Sequence, residues 1–187
     1  VAWMPRIVYT DEPKPRSTES VVRILCGAGR DFTDSAGNVW KADRYFRGGR
    51  AARHAFEAQG ADDPRLYRRG RCGREFTYAI PVEKGLYAVR LKFAEPTYES
   101  LFARPFNVEV NGREVLRNFD ICQDTRGPRK AGGRVFRYVV PGADGRIVLR
   151  FSAGSEPAQQ TDEAIVQAIE VLPEPSTTVR INCGGET

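Results

Sequence analysis

Four cysteines, one histidine and two pairs of adjacent acids are the residues of this chain with the most distinctive chemistry. Cys26, Cys72, Cys122 and Cys183 form no CxxC, and His54 is the only histidine, so the usual zinc-ligand spacings are missing and no metal site is expected. A Ser-His or Cys-His nucleophile would have to use His54, which stands in an Arg/Ala-rich stretch without nucleophile context. Asp62-Asp63 and Asp162-Glu163 could in principle supply the two carboxylates of a glycosidase. Adjacent acids are ordinary in loops, however, and the separation that such catalysis needs is a property of space, not of sequence. Gly27-Ala28-Gly29 and Gly132-Gly133 lack the helix and the Lys-Ser/Thr that follow a phosphate-binding loop. No catalytic residue and no cofactor are therefore expected. The cysteines keep two readings: small buried hydrophobes, which is favoured, or a Cys72–Cys122 disulfide in an exported protein.

The 29 Lys plus Arg against 24 Asp plus Glu leave a net charge of +5. That excess is mild, and the arginines are scattered. Only Arg68, Arg69 and Arg71 form a tight group, which reads as a solvated face more than as an anion site. No RNA-binding motif accompanies the charge, so no nucleic-acid partner is expected. No apolar run reaches the roughly 18 to 20 residues of a membrane span. The chain begins at Val1 and reads as a fragment, so localisation has to be argued indirectly.

The elements that carry these residues read as strand after strand. Glu75–Ile80 is rich in β-formers and ends at Pro81; in Leu86–Glu95, Tyr87, Val89, Leu91 and Phe93 share one face, with Arg90 and Lys92 on the other. Phe106–Val110 and Arg113–Leu116 flank Asn111-Gly112, a dipeptide that tolerates the positive φ of a tight type I′ hairpin. Val22–Cys26, Val135–Val140, Ile147–Phe151 and Ile165–Val171 complete the set, and the Ala/Arg-rich stretch Gly48–Gln59 is expected to be a short helix. Short strands with no strong amphipathic helix predict an all-β, jelly-roll-like two-sheet β-sandwich.

Pro-punctuated polar segments at 1–20 and 173–178 read as linkers around a domain at 21–172. Past the second linker, Val179-Arg180-Ile181-Asn182-Cys183-Gly184 repeats the Val-Arg-Ile-x-Cys-Gly that starts at Val22. Residues 179–187 therefore read as the start of a second similar domain, and the expectation is a monomer within a tandem-domain chain.

The runs Leu66–Arg71, Phe76–Val82, Gly85–Leu91, Phe93-Ala94-Glu95, Arg104–Val108, Val110-Asn111-Gly112 and Ala168–Val171 together resemble the malectin domain family of carbohydrate-binding modules. Ile181–Gly185 looks like that family's opening strand. The resemblance covers nearly all of 22–172 in order. It implies a sandwich that holds an oligosaccharide in a loop-lined cleft through aromatics and an aspartate, within a bacterial, extracellular or periplasmic multidomain protein of the kind that sits beside glycoside hydrolases. Sugar rings offer C–H faces to aromatic planes and hydroxyls to carboxylates, so such a cleft needs both residue types.

Transferred by position, the family's aromatic pair falls on Thr97 and Tyr98, a further tyrosine on Cys72, and the aspartate on Asp162; another tyrosine would lie near Arg53 or His54. The predicted ligand-binding residues are Tyr98, Asp162, Thr97 and Cys72, with Phe102, Tyr45 and Tyr67 as compensating rings. Each also has a structural role open to it. Tyr98 could cover the core edge, Asp162 could cap the turn into the last strand, and Glu95 and Asp43 are expected to be buried acids serving backbone or Arg partners. Tyr67, Tyr78 and Tyr87 are expected in the core. The alternative function is a structural or protein-interaction sandwich that has lost the sugar site.

Overall fold

The computed structural model describes residues 21–154, 161 and 163–175. Alternating apolar residues produce two antiparallel sheets whose inner faces meet in one core. The strands are β1 (Val22–Leu25), β2 (Phe32–Thr33), β3 (Val39–Trp40), β4 (Phe46–Arg53), β5 (Arg69–Pro81), β6 (Leu86–Phe93), β7 (Phe106–Val110), β8 (Arg113–Phe119), β9 (Gly132–Val139), β10 (Arg146–Ala153), β11 (Ala164–Val166) and β12 (Ala168–Glu174), with one short helix, α1 (Ile121–Thr125), after β8. The first sheet runs β1-β12-β6-β9; in the second, β5 lies between β4 and β10/β11, followed by β7 and β8.

Ile24, Val89, Leu91, Phe93, Ile169 and Val171 from the first sheet pack on Phe76, Tyr78, Phe106, Leu149 and Phe151 from the second, all at or near zero exposure. Phe76 and Phe151 stack at 4.8 Å between ring centroids. Period-two alternation, with the cationic Arg90 and Lys92 pointing away from this core, is what makes a half-wet sheet. Tyr67, Tyr78 and Tyr87 are all buried, as expected. The Asn111-Gly112 turn has positive φ at both residues (50° and 78°), the type I′ geometry its sequence predicts.

Two expectations are corrected. Gly48–Gln59 is not a helix: Phe46–Arg53 is β4, hydrogen-bonded along β5. The Ala/Arg propensity for helix amounts to tenths of a kcal/mol per residue and is outweighed by the long β5 edge it satisfies. The single strand Ile165–Val171 is instead two. The chain leaves the second sheet after Val166 and enters the first at Ala168, and the fully buried Gln167 sits at the crossing. β12 also continues through Pro173 and Glu174, which pair with Tyr87 and Leu86 in a stretch that reads as linker.

A second apolar cluster covers part of the outer face of the first sheet. Leu25, Trp40, Leu66, Tyr67 and Ala168 form it, held by the β2–β3 hairpin and a 3₁₀ turn at Pro64–Tyr67. Asp63 caps that turn by accepting from Arg65 N at 3.0 Å. Asp63 of the Asp62-Asp63 pair is thus a structural cap.

Candidate binding site

One edge of the second sheet gathers the polar residues that packing does not explain. β10 and β11 lie end to end along β5, with Ser152 opposite Glu75, Ala164 opposite Gly73 and Ile165 opposite Cys72, so the chain passes from one to the other opposite Arg74. On the other side of β5, β4 bulges at Gly48 and Gly49, whose φ values are 78° and 64°. That bulge sets Arg50 opposite Cys72. The loop from Ala94 to Pro105 closes the edge. Its start is pinned by Gln167, whose carboxamide donates to Ala94 O at 2.7 Å and accepts from Ala94 N at 3.0 Å.

Four charged side chains converge there. Glu95 is 2% exposed; one of its oxygens accepts the backbone N–H groups of Thr97 and Tyr98, and the other accepts from Arg104 Nε at 2.9 Å. The Arg104 guanidinium lies over the Tyr98 ring, 5.0 Å from its centroid. Glu163, immediately before β11, forms a two-pronged ion pair with Arg50. The Arg50 guanidinium holds the Glu163 carboxyl below the usual carboxylate range. Arg104 Nη1 lies 3.9 Å from Glu163, within ion-pair reach but too far for a hydrogen bond.

Cys72, opposite Arg50, and Cys122, against Tyr98, lie in the same region, and His54 follows the end of β4. Burial pushes the Cys72 thiol up, and burial, with Glu95 and Asp120 nearby, pushes Cys122 up to about 11. Neither is a thiolate at neutral pH, so neither is an activated nucleophile. Both are free and buried, and the Cys72–Cys122 disulfide that export would permit is absent here. Cys122 Sγ instead donates to Tyr98 O at 3.5 Å. Burial, assisted by Arg104, lowers His54 below its ordinary value and keeps it neutral.

The model of the malectin domain matches residues 20–169. The chain belongs to the malectin domain family. No curated protein sequence matches it closely enough to add a nearer relative. Among solved structures, the ANXUR1 extracellular domain of Arabidopsis thaliana superposes with a TM-score of 0.73 at 19% identity, over 83% of this chain and 48% of that one. A chain in the complex of the plant peptide RALF23 with FER and LLG2 matches at 0.70 and 16% identity, over 83% of this chain and 49% of that one. Bacteroides uniformis β-glucuronidase 2 matches at 0.66 and 18% identity, over 82% of this chain and 18% of that one. This malectin domain therefore spans about half the length of the plant chains. These likenesses establish the fold and give no support for a bacterial source.

In this malectin domain the edge brings Tyr98, Thr97 and Cys72 to the Arg50/Arg104 cluster. Thr97 is exposed there and Cys72 is buried. Phe102 is 43% exposed further along the same loop. Asp162 lies outside the described residues, though Thr161 before it donates to Ala103 O and Glu163 after it binds Arg50. Tyr67 belongs to the outer apolar cluster and Tyr45 is exposed. Glu95 and Asp43 serve backbone and Arg partners as expected: Asp43 accepts from Gly27 N, Tyr78 Oη and Arg71. Arg71 is thereby corrected from the solvated face to a buried ion pair.

Nothing local in the sequence marks Arg50, Arg104 and Glu163 as members of one cluster. Arg104 and Glu163 were visible only as part of a family run and of an acidic pair. Arg50 carried no signal, because its role depends on a bulge in a strand that its own sequence disguises.

Proposed function

We propose that this malectin domain is a non-catalytic carbohydrate-binding module of a larger exported multidomain protein. The observation that carries the reading is the half-buried Tyr98 ring at a loop edge, set directly against the polar cluster of Arg104, Glu95 and Glu163. A ring beside convergent hydrogen-bonding groups is the combination a pyranose requires. Family membership and the extracellular setting of the plant neighbours support export, and the β-glucuronidase neighbour supports company with a glycosidase. The repeated segment at 179 supports a tandem arrangement, which would raise a weak single-site affinity through effective concentration.

A second reading, a protein-interaction sandwich, is favoured by Thr97 and Cys72 standing where the family carries rings. The two separate in an NMR titration with glucan, mannan, galactan and uronan oligosaccharides. Carbohydrate binding predicts shifts around Tyr98, and a loss of roughly 1 kcal/mol of binding energy in Tyr98→Ala, in the range of an aromatic contact. Absence of shifts with every oligosaccharide would leave only the interaction reading.

A further inference from the structure

We infer that the site takes a sugar acid, a uronic-acid residue whose carboxylate replaces that of Glu163 against Arg50 and Arg104. The inference rests on the glycan-binding reading and specifies its ligand. Among the described residues, two buried side-chain polar atoms have no hydrogen-bond partner, Arg104 Nη1 and His54 Nε2, and the first stands in this cluster beside Glu163. An unpaired buried guanidinium N–H is costly, and a native site that retains one is short of an acceptor. Arg104 is 6% exposed, and its Nε is already committed to Glu95.

Glu163 cannot supply the missing acceptor in its present pose. Both its oxygens serve Arg50, which leaves Arg104 Nη1 at 3.9 Å. The Arg50–Glu163 pair is itself displaceable, because the Arg50 side chain is 62% exposed and an exposed ion pair contributes little. A ligand carboxylate, free of the backbone before β11, can accept from Arg50 with one oxygen and from Arg104 Nη1 with the other. Planar guanidinium forks suit that acceptor better than a hydroxyl. A neutral sugar could cap Nη1 but would leave Arg50 with Glu163 and gain nothing from the second cation. Tyr98, its ring against the same Arg104 guanidinium, is the aromatic wall for the sugar.

The test titrates the intact chain with a hexuronic-acid trisaccharide and with its carboxyl-reduced, uncharged counterpart. The acid is expected to bind about tenfold more tightly, the strength of one added charge-assisted contact. The preference should shrink as salt rises. Glu163→Gln should tighten the acid and leave the reduced sugar unchanged. Arg50→Gln, at an exposed position whose fold is checked by circular dichroism, should abolish the preference. Equal affinity for the two sugars, or weaker acid binding in Glu163→Gln, overturns the inference and leaves the glycan-binding reading standing. Capture of an acidic peptide with neither sugar bound, or no response to any glycan, overturns both.

Discussion

His54 is the only group of its kind in the chain, so its titration can be isolated. Burial, with Arg104 beside it, lowers its folded pKa below the ordinary 6.5, which means the unfolded chain takes up the proton first as pH falls. Stability tied to this residue is therefore intact above about pH 7 and declines as pH drops through 6.5 toward the lowered folded value. Urea denaturation at stepped pH is expected to show this decline in the wild type and to lose it in His54→Gln. The folded pKa of Glu163 is lowered too, but there the cause is the Arg50 guanidinium, which favours the charged form. That depressed pKa contributes stability above the ordinary carboxylate value, and that stability is lost only in stronger acid, as the carboxyl is protonated and Arg50 is released. At this scale the sequence was informative about type and silent about company. It marked Tyr98 and Glu95, but the convergence of Arg50, Arg104 and Glu163 depends on three segments far apart in the chain.

Two elements position the site, and each has a residue on which it depends. Gly49 in β4 holds φ at 64°, and a Cβ there would lie 3.0 Å from Cys72 O and 3.1 Å from Phe76 Cβ. Gly49→Ala is expected to cost about 2 kcal/mol in chemical denaturation and, on the proposed carbohydrate-binding function, to weaken oligosaccharide binding by moving Arg50 out of register with Cys72. Gln167 replaces a missing strand pairing with its carboxamide, binding both backbone groups of Ala94 where the site loop begins. Gln167→Leu leaves two buried backbone groups unpaired, and a loss of about 2–4 kcal/mol is expected from the same measurement. The hairpin and β6 were legible because turn chemistry and alternation are local. β4 was not, since a strand that after Phe46 contains only Gly, Arg and Ala is specified by the edge it completes rather than by its own residues.

For the whole molecule, the main core and the outer cluster share the first sheet, so they should unfold together. Trp40 is 2% exposed within the outer cluster and reports on it. In a Trp3→Phe background, its fluorescence and the far-ultraviolet circular dichroism are expected to give coincident urea transitions; an earlier fluorescence transition would show the outer cluster to be a separate unit. Sequence by itself determined the class of the fold, because burial of one face per strand is written as period two, and it determined the family through a run of motifs in order. It also showed a single histidine and no CxxC, so the usual zinc-ligand spacings are missing. Tertiary structure alone decided where β5 finds its partners, that Cys72 and Cys122 are buried thiols, and that Arg50 and Arg104 stand beside the same glutamate. Those are relations between segments distant in sequence, and an ion pair, an unpaired donor or a bulge register exists only once the sheets have brought such segments together.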